Sequence, residues 1–391
     1  MRKFFLILGC LVLGLCLTAG LFIATFNIDR YRPQIVGKIS EAIGAPAELE
    51  RISMGWSGGL ALALKGLTLG TPGPQEGERG LALERVRVHV KLFPLLRKKI
   101  EIVSIVLLRP QIHLVRESSG SVQLQGIHPP QASSSKEQSA ASSGAPSAVP
   151  NVSIGIIQIE NGEIIFSDPA SASSGATIRD LDLTLKNFSF GEPLDFHAKA
   201  ALLGPAQNVE FRGRAILASA SGPYSVEDFE IIADLGLLEK AGMGGRWEGS
   251  LLGAVDRLEI NETGIRDVKA RLETKGAKAV LSSLKAPLEN LNLKAEIDQT
   301  EVRLESLSAD LAGGKILAKG VSKNYLSSAP QTQVAIGMDR LNLQELIPEK
   351  GEGQPALHGI FSAGFEGEAQ GMAWPAISRT LTGSGAISLA D

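Results

Sequence analysis

Between residues 85 and 92, apolar and charged side chains change places at every step. Val86, Val88, Val90 and Leu92 alternate with Arg85, Arg87, His89 and Lys91. A period of two sends one set to one face of a strand and the other set to the opposite face. The chain then meets Phe93-Pro94-Leu95-Leu96, where a proline has no amide to give to a ladder. It returns as a second, more apolar strand from Ile100 to about Leu108. The stretch builds a sheet with one apolar face and one charged face.

The same pattern recurs along the chain. Ala47–Met54 and Leu60–Leu69 flank Gly55-Trp56-Ser57-Gly58-Gly59 and read as a hairpin. Ile154–Ile159, Asn161-Gly162 and Glu163–Phe166 read as another, since Asn-Gly is the strongest short turn signal. Leu181, Leu183 and Leu185 alternate with Asp180, Asp182, Thr184 and Lys186. Leu291, Leu293, Ala295 and Ile297 alternate with polar neighbours, and Val302 to Leu311 continue after a turn. Helical spacing is scarce. Tyr31–Ile43 carries Ile35, Ile39 and Ile43, with Pro33 near its start and Gly44 past its end. That helix either plugs the end of a sheet or lies on a bilayer surface. Asp234–Ala241 and Leu343–Ile347 are the other short candidates.

Arg2 and Lys3 precede Phe4–Phe26, 23 residues without a charge. About 20 such residues cross a hydrocarbon core, and no A-x-A site closes the run, so it is expected to be an uncleaved anchor. The very short N-terminal tail favours an inside N-terminus with the bulk exported. Cys10 and Cys16 both fall in this run and no cysteine follows, which leaves neither a disulfide framework nor a cysteine metal site. From His128 to Pro150 the chain is Ser-, Ala- and Pro-rich without periodicity, and it reads as a flexible loop or linker.

A net charge of −3 with both signs dispersed lacks the basic footprint of a nucleic-acid binder. His89, His113, His128, His197 and His358 are scattered singly, and no metalloprotease, nucleophile-elbow, P-loop or dinucleotide motif occurs. His89 and His113 share the polar register, so pairing of their strands would set them near one another, though a metal needs more ligands. Asp180 and Asp182 share a strand face, an arrangement typical of solvated carboxylates. The residues point to no catalytic group, metal or cofactor. A long sheet with one apolar face and few helices must cover that face with more sheet, close on itself, or hold an apolar ligand.

Six segments appear in a distinctive order: Ile43–Ile52, Leu62–Leu69, Leu83–Val90, Pro94–Leu96, Ile102–Arg116 and Ile157–Asp168. Their order and spacing resemble the AsmA-like family of Gram-negative bacteria. The resemblance implies a single inner-membrane span at residues 4–26, a periplasmic body, and an elongated, twisted antiparallel sheet curled into a groove. Its beginning is similar to the chorein-like end of bridge-type lipid transfer proteins. On this reading the chain comprises an anchor (1–28), a chorein-like β segment with the short helix (29–127), a linker (128–150) and a β-repeat region (151–391). Larger relatives are implicated in moving phospholipid towards the outer membrane and in envelope integrity. Phospholipid is therefore the expected ligand, with Val86, Val88, Val90, Leu92, Leu181, Leu183 and Leu185 as the expected lining. A scaffold that assists outer-membrane protein assembly by capturing client strands at a sheet edge is the alternative. The family pattern continues beyond Leu381–Asp391, so the chain is expected to be a fragment.

Overall fold

The computed structural model describes residues 28–56, 60–70, 80–91, 94, 101–116, 122–126, 153–168, 175–217, 224–261, 264–325, 327, 329–346, 358–371 and 374–390. The expected anchor at 4–26, the expected linker at 128–150 and Leu92 lie outside these. Among the described residues no helix is long and apolar enough to cross a membrane. The fold is mainly β, with few and short helices. It divides into two compact units, Met1–Ser189 and Phe190–Asp391. Strands on both sides of the 128–150 segment thus belong to one unit.

The first unit contains β1 (Ala47–Trp56), β2 (Leu60–Leu69), β3 (Leu81–Val90), β4 (Ile102–Arg116), β5 (Val122–Leu124), β6 (Ile154–Ser167) and β7 (Thr177–Phe188). β1 to β4 form an antiparallel meander. β5 folds back on the end of β4, and β6 then lies parallel to β4, with Ile105 opposite Ile157 and Leu107 opposite Ile159. A sheet antiparallel throughout was the expectation. Parallel neighbours need a long crossover, and the chain between β5 and β6, which includes 128–150, supplies it.

A second departure concerns Asn161-Gly162. They do not turn a hairpin, for β6 runs unbroken through them. Asn161 has φ +54 and its amide donates to Asp182 Oδ1 at 2.9 Å. The left-handed residue is a bulge within one strand, a conformation that Asn tolerates better than most.

Ile28–Tyr31 forms a 3-10 turn leading into α1 (Arg32–Ile43). A left-handed Gly44 ends α1, and its amide donates to Ser40 O. The helix lays Ile35, Val36, Ile39 and Ile43 on a core of Ala47, Leu49, Ile52, Leu67, Leu69, Leu83 and Val86. This is the plug geometry. Asp29 Oδ1 accepts the Ile52 amide and Arg32 donates to Glu50 O, which occupies part of the β1 edge.

The second unit contains β8 (Pro193–Leu202), β9 (Val209–Leu217), β10 (Tyr224–Asp234), β11 (Arg246–Glu248), β12 (Ser250–Asn261), β13 (Gly264–Val280), β14 (Leu288–Asp298), β15 (Glu301–Leu311), β16 (Gly314–Lys323), β17 (Gln331–Asn342), β18 (Ile360–Gln370) and β19 (Thr382–Ala390). Each strand pairs antiparallel with the next, except that β11 and β12 share β13 and β10 pairs with β12. The helices α2 (Gly236–Lys240), α3 (Leu343–Leu346) and α4 (Trp374–Thr380) are short, and the first two fall where helical spacing is expected. Leu311, Ala312 and Leu341 form a core against Leu284, Leu346 and Phe361. Phe229 lies between Phe196 and Phe211, with ring centroids 5.9 and 6.2 Å away respectively.

Candidate functional site

Residues opposite one another in a sheet share a face, so the registers of the first unit define transverse rows. One row reads Ile52, Leu64, Val86, Leu107, Ile159, Leu183. The next reads Met54, Leu62, Val88, Ile105, Ile157, Leu185. Six strands at about 4.8 Å spacing make each row about 24 Å long. Two sets of expected lining residues, almost a hundred positions apart in the chain, thus fall into common rows: Val86 with Leu183, and Val88 with Leu185. Leu181 lies opposite Gly162, and Val90 opposite Leu60 and Ile102, on the same face.

That face has two parts. Val86, in the core beneath α1, and Val90 are each 7% exposed, and the half-buried Val88 packs against that core. On β4, β6 and β7 the face is more open, with Ile157, Ile159, Leu181, Leu183 and Leu185 half-buried. The connecting strip of Ile105, Leu107, Ile157 and Ile159 is absent from the expected lining. Its signal was weak because Val103 to Leu108 is apolar at nearly every position and shows no alternation.

The rows stay apolar although the pattern slips phase. In β1 the buried Leu49 and Ile52 enclose Glu50 and Arg51, and in β3 the buried Leu83 and Val86 enclose Glu84 and Arg85. Lys65-Gly66, Leu108-Arg109 and Glu160-Asn161 occupy the equivalent places in β2, β4 and β6. Gly66, Arg109 and Asn161 there have φ +64, +48 and +54. Such a residue inserts an extra position and restores the facing of those that follow. At Gly66 the positive φ is what favours glycine.

The opposite face carries the charges. Lys91 pairs with Glu101 at 3.1 Å, Arg109 with Glu84 at 3.2 Å, and Arg87 with Glu160 at 3.8 Å. These pairs are solvated and each contributes about 0–1 kcal/mol. His89 Nδ1 lies 2.9 Å from Ser104 Oγ, while His113 sits nine residues farther along β4, so strand pairing does not bring the two histidines together. Asp182 caps the Asn161 bulge.

The displaced acidities lie in the second unit. Hydrogen bonding from His197 holds Glu210 below the usual carboxylate range. Hydrogen bonds to Glu289, Glu305 and Glu301 raise Lys278, Lys294 and Arg303. The Thr300 amide, then the Glu301 amide and the Thr300 hydroxyl, lower Asp298.

The AsmA family model matches residues 1–235, all of the first unit and the second through the end of β10. The chain belongs to the AsmA family. No curated protein and no solved structure matches it. The candidate site of this AsmA-family chain therefore lies wholly within the matched region.

Proposed function

We propose that this AsmA-family protein is a single-pass inner-membrane protein whose periplasmic body holds phospholipid acyl chains along the apolar face of its curled sheet. It would carry them passively between the inner and outer membranes and thereby maintain the envelope. The observation that carries this reading is the pair of apolar rows that cross six strands and remain half-open on β4, β6 and β7. Burying one CH₂ is worth about 0.8 kcal/mol. A chain that slides from one apolar row to the next keeps its burial, so movement needs no chemical step. The protein acts without catalysis or cofactor. Strand capture at the β1 edge is disfavoured, because Asp29 and Arg32 already occupy backbone groups there.

Transfer of a fluorescent phospholipid between donor and acceptor vesicles tests the reading. The full chain is expected to accelerate transfer without nucleotide, and Leu183→Glu with Leu185→Glu to slow it at least about tenfold, since a charge on an apolar surface is strongly disfavoured. An unchanged rate in the folded double variant would sink the proposal.

A further inference from the structure

The charged face of the second unit is hollowed where the apolar reading has no use for it. Two adjoining depressions of about 770 and 760 Å³ cross β15 to β19 and share Glu305, Lys319, Ala335, Glu366 and Ser384. The registers place Lys319 opposite Ala335, Ala335 opposite Glu366, and Glu366 opposite Ser384. The row beside it reads Leu317, Gly337, Gly364, Ala386. A Cβ at Gly337 or Gly364 would meet nothing within 4 Å, so the floor is open above both, and Leu317 stands 53% exposed at its side.

The charges here are arranged differently from their neighbours. Lys294 pairs with Glu305, Arg303 with Glu301, and Lys278 with Glu289. Among the described residues, the Lys319 and Glu366 side chains have no ion-pair or hydrogen-bond partner. They sit two strands apart, about 10 Å between backbones, and the short Ala335 between them leaves the gap unfilled. An ammonium and a carboxylate held apart over a small-residue floor complement a ligand that carries both charges in the reverse sense.

We propose that this trench binds an ammonium–phosphate zwitterion of the phosphoethanolamine class. Lys319 Nζ donates to the phosphate, the Glu366 carboxylate accepts from the ammonium, and any apolar body rests on Leu317, Gly337, Gly364 and Ala386. The site lies in the other unit, so it stands independently of acyl-chain binding by the first unit.

The test titrates the full chain with phosphorylethanolamine and, in parallel, sediments it with vesicles of phosphatidylethanolamine or of phosphatidylglycerol. Saturable binding of the zwitterion is expected. Lys319→Glu and Glu366→Lys should each weaken it at least about tenfold, and the double exchange, which recreates the pair in reverse, should recover it to within about threefold. Both positions are exposed, so the variants fold, and Leu183→Glu should change nothing. Binding to the free headgroup identifies a soluble zwitterion as sufficient. The same mutational pattern with phosphatidylethanolamine vesicles alone identifies the lipid as the source. No saturable binding in either format, equal binding to phosphatidylglycerol, or indifference to both single substitutions overturns the proposal.

Discussion

Asn161 and Asp298 show how much depends on single residues in a sheet this long. Asn161 carries φ +54 inside β6, where a β-branched side chain meets steric penalties of about 1–2 kcal/mol. Asn161→Val should therefore lower stability by about that much in urea titrations, whereas Asn161→Gly should leave it nearly unchanged. Asp298 ends β14 and accepts three hydrogen bonds, from Thr300 N, Thr300 Oγ1 and Glu301 N. Its folded pKa is lowered from the ordinary 3.8. The unfolded chain therefore takes up the proton first as pH falls. The contribution of Asp298 is complete above about pH 4 and fades as pH drops through the lower folded value. Urea midpoints measured from pH 6 downward should fall more steeply below about pH 4 in the wild type than in Asp298→Asn.

At the scale of elements, α1 and its sheet illustrate what the sequence made legible. Isoleucines four apart, a proline at the start and a glycine at the end located the helix, and alternation located β3, β7, β14 and β15. Ile52, 3% exposed beneath α1, should cost about 2–5 kcal/mol as Ile52→Ala by thermal unfolding. The bulges were legible in principle. Glu50-Arg51, Lys65-Gly66, Glu84-Arg85 and Glu160-Asn161 are each a doublet lodged between two apolar positions, and a doublet breaks the period of two once in each strand. Asn-Gly misled because the same left-handed residue serves a hairpin turn or a bulge, and only the neighbouring strand, through Asp182, decides which. The parallel pairing of β4 with β6 was hidden for another reason. Strand direction depends on where a crossover returns, and 128–150 has no pattern from which to read a return point.

For the whole molecule, the account rests on one face being shared by residues far apart in the chain. Val86 sits in the row of Leu183 but belongs to the core on which α1 packs. The two ends of a row therefore make opposite predictions. Val86→Glu, at a residue 7% exposed, forces a charge into a packed core and should unfold the first unit. Leu183→Glu, at the half-open end, should leave it folded. Native mass spectrometry of the full chain, with circular dichroism to verify folding, compares them directly. Phospholipid should accompany the wild type and be lost from folded Leu183→Glu. A wild type without lipid, or a folded Leu183→Glu variant that keeps its full complement, would contradict the account.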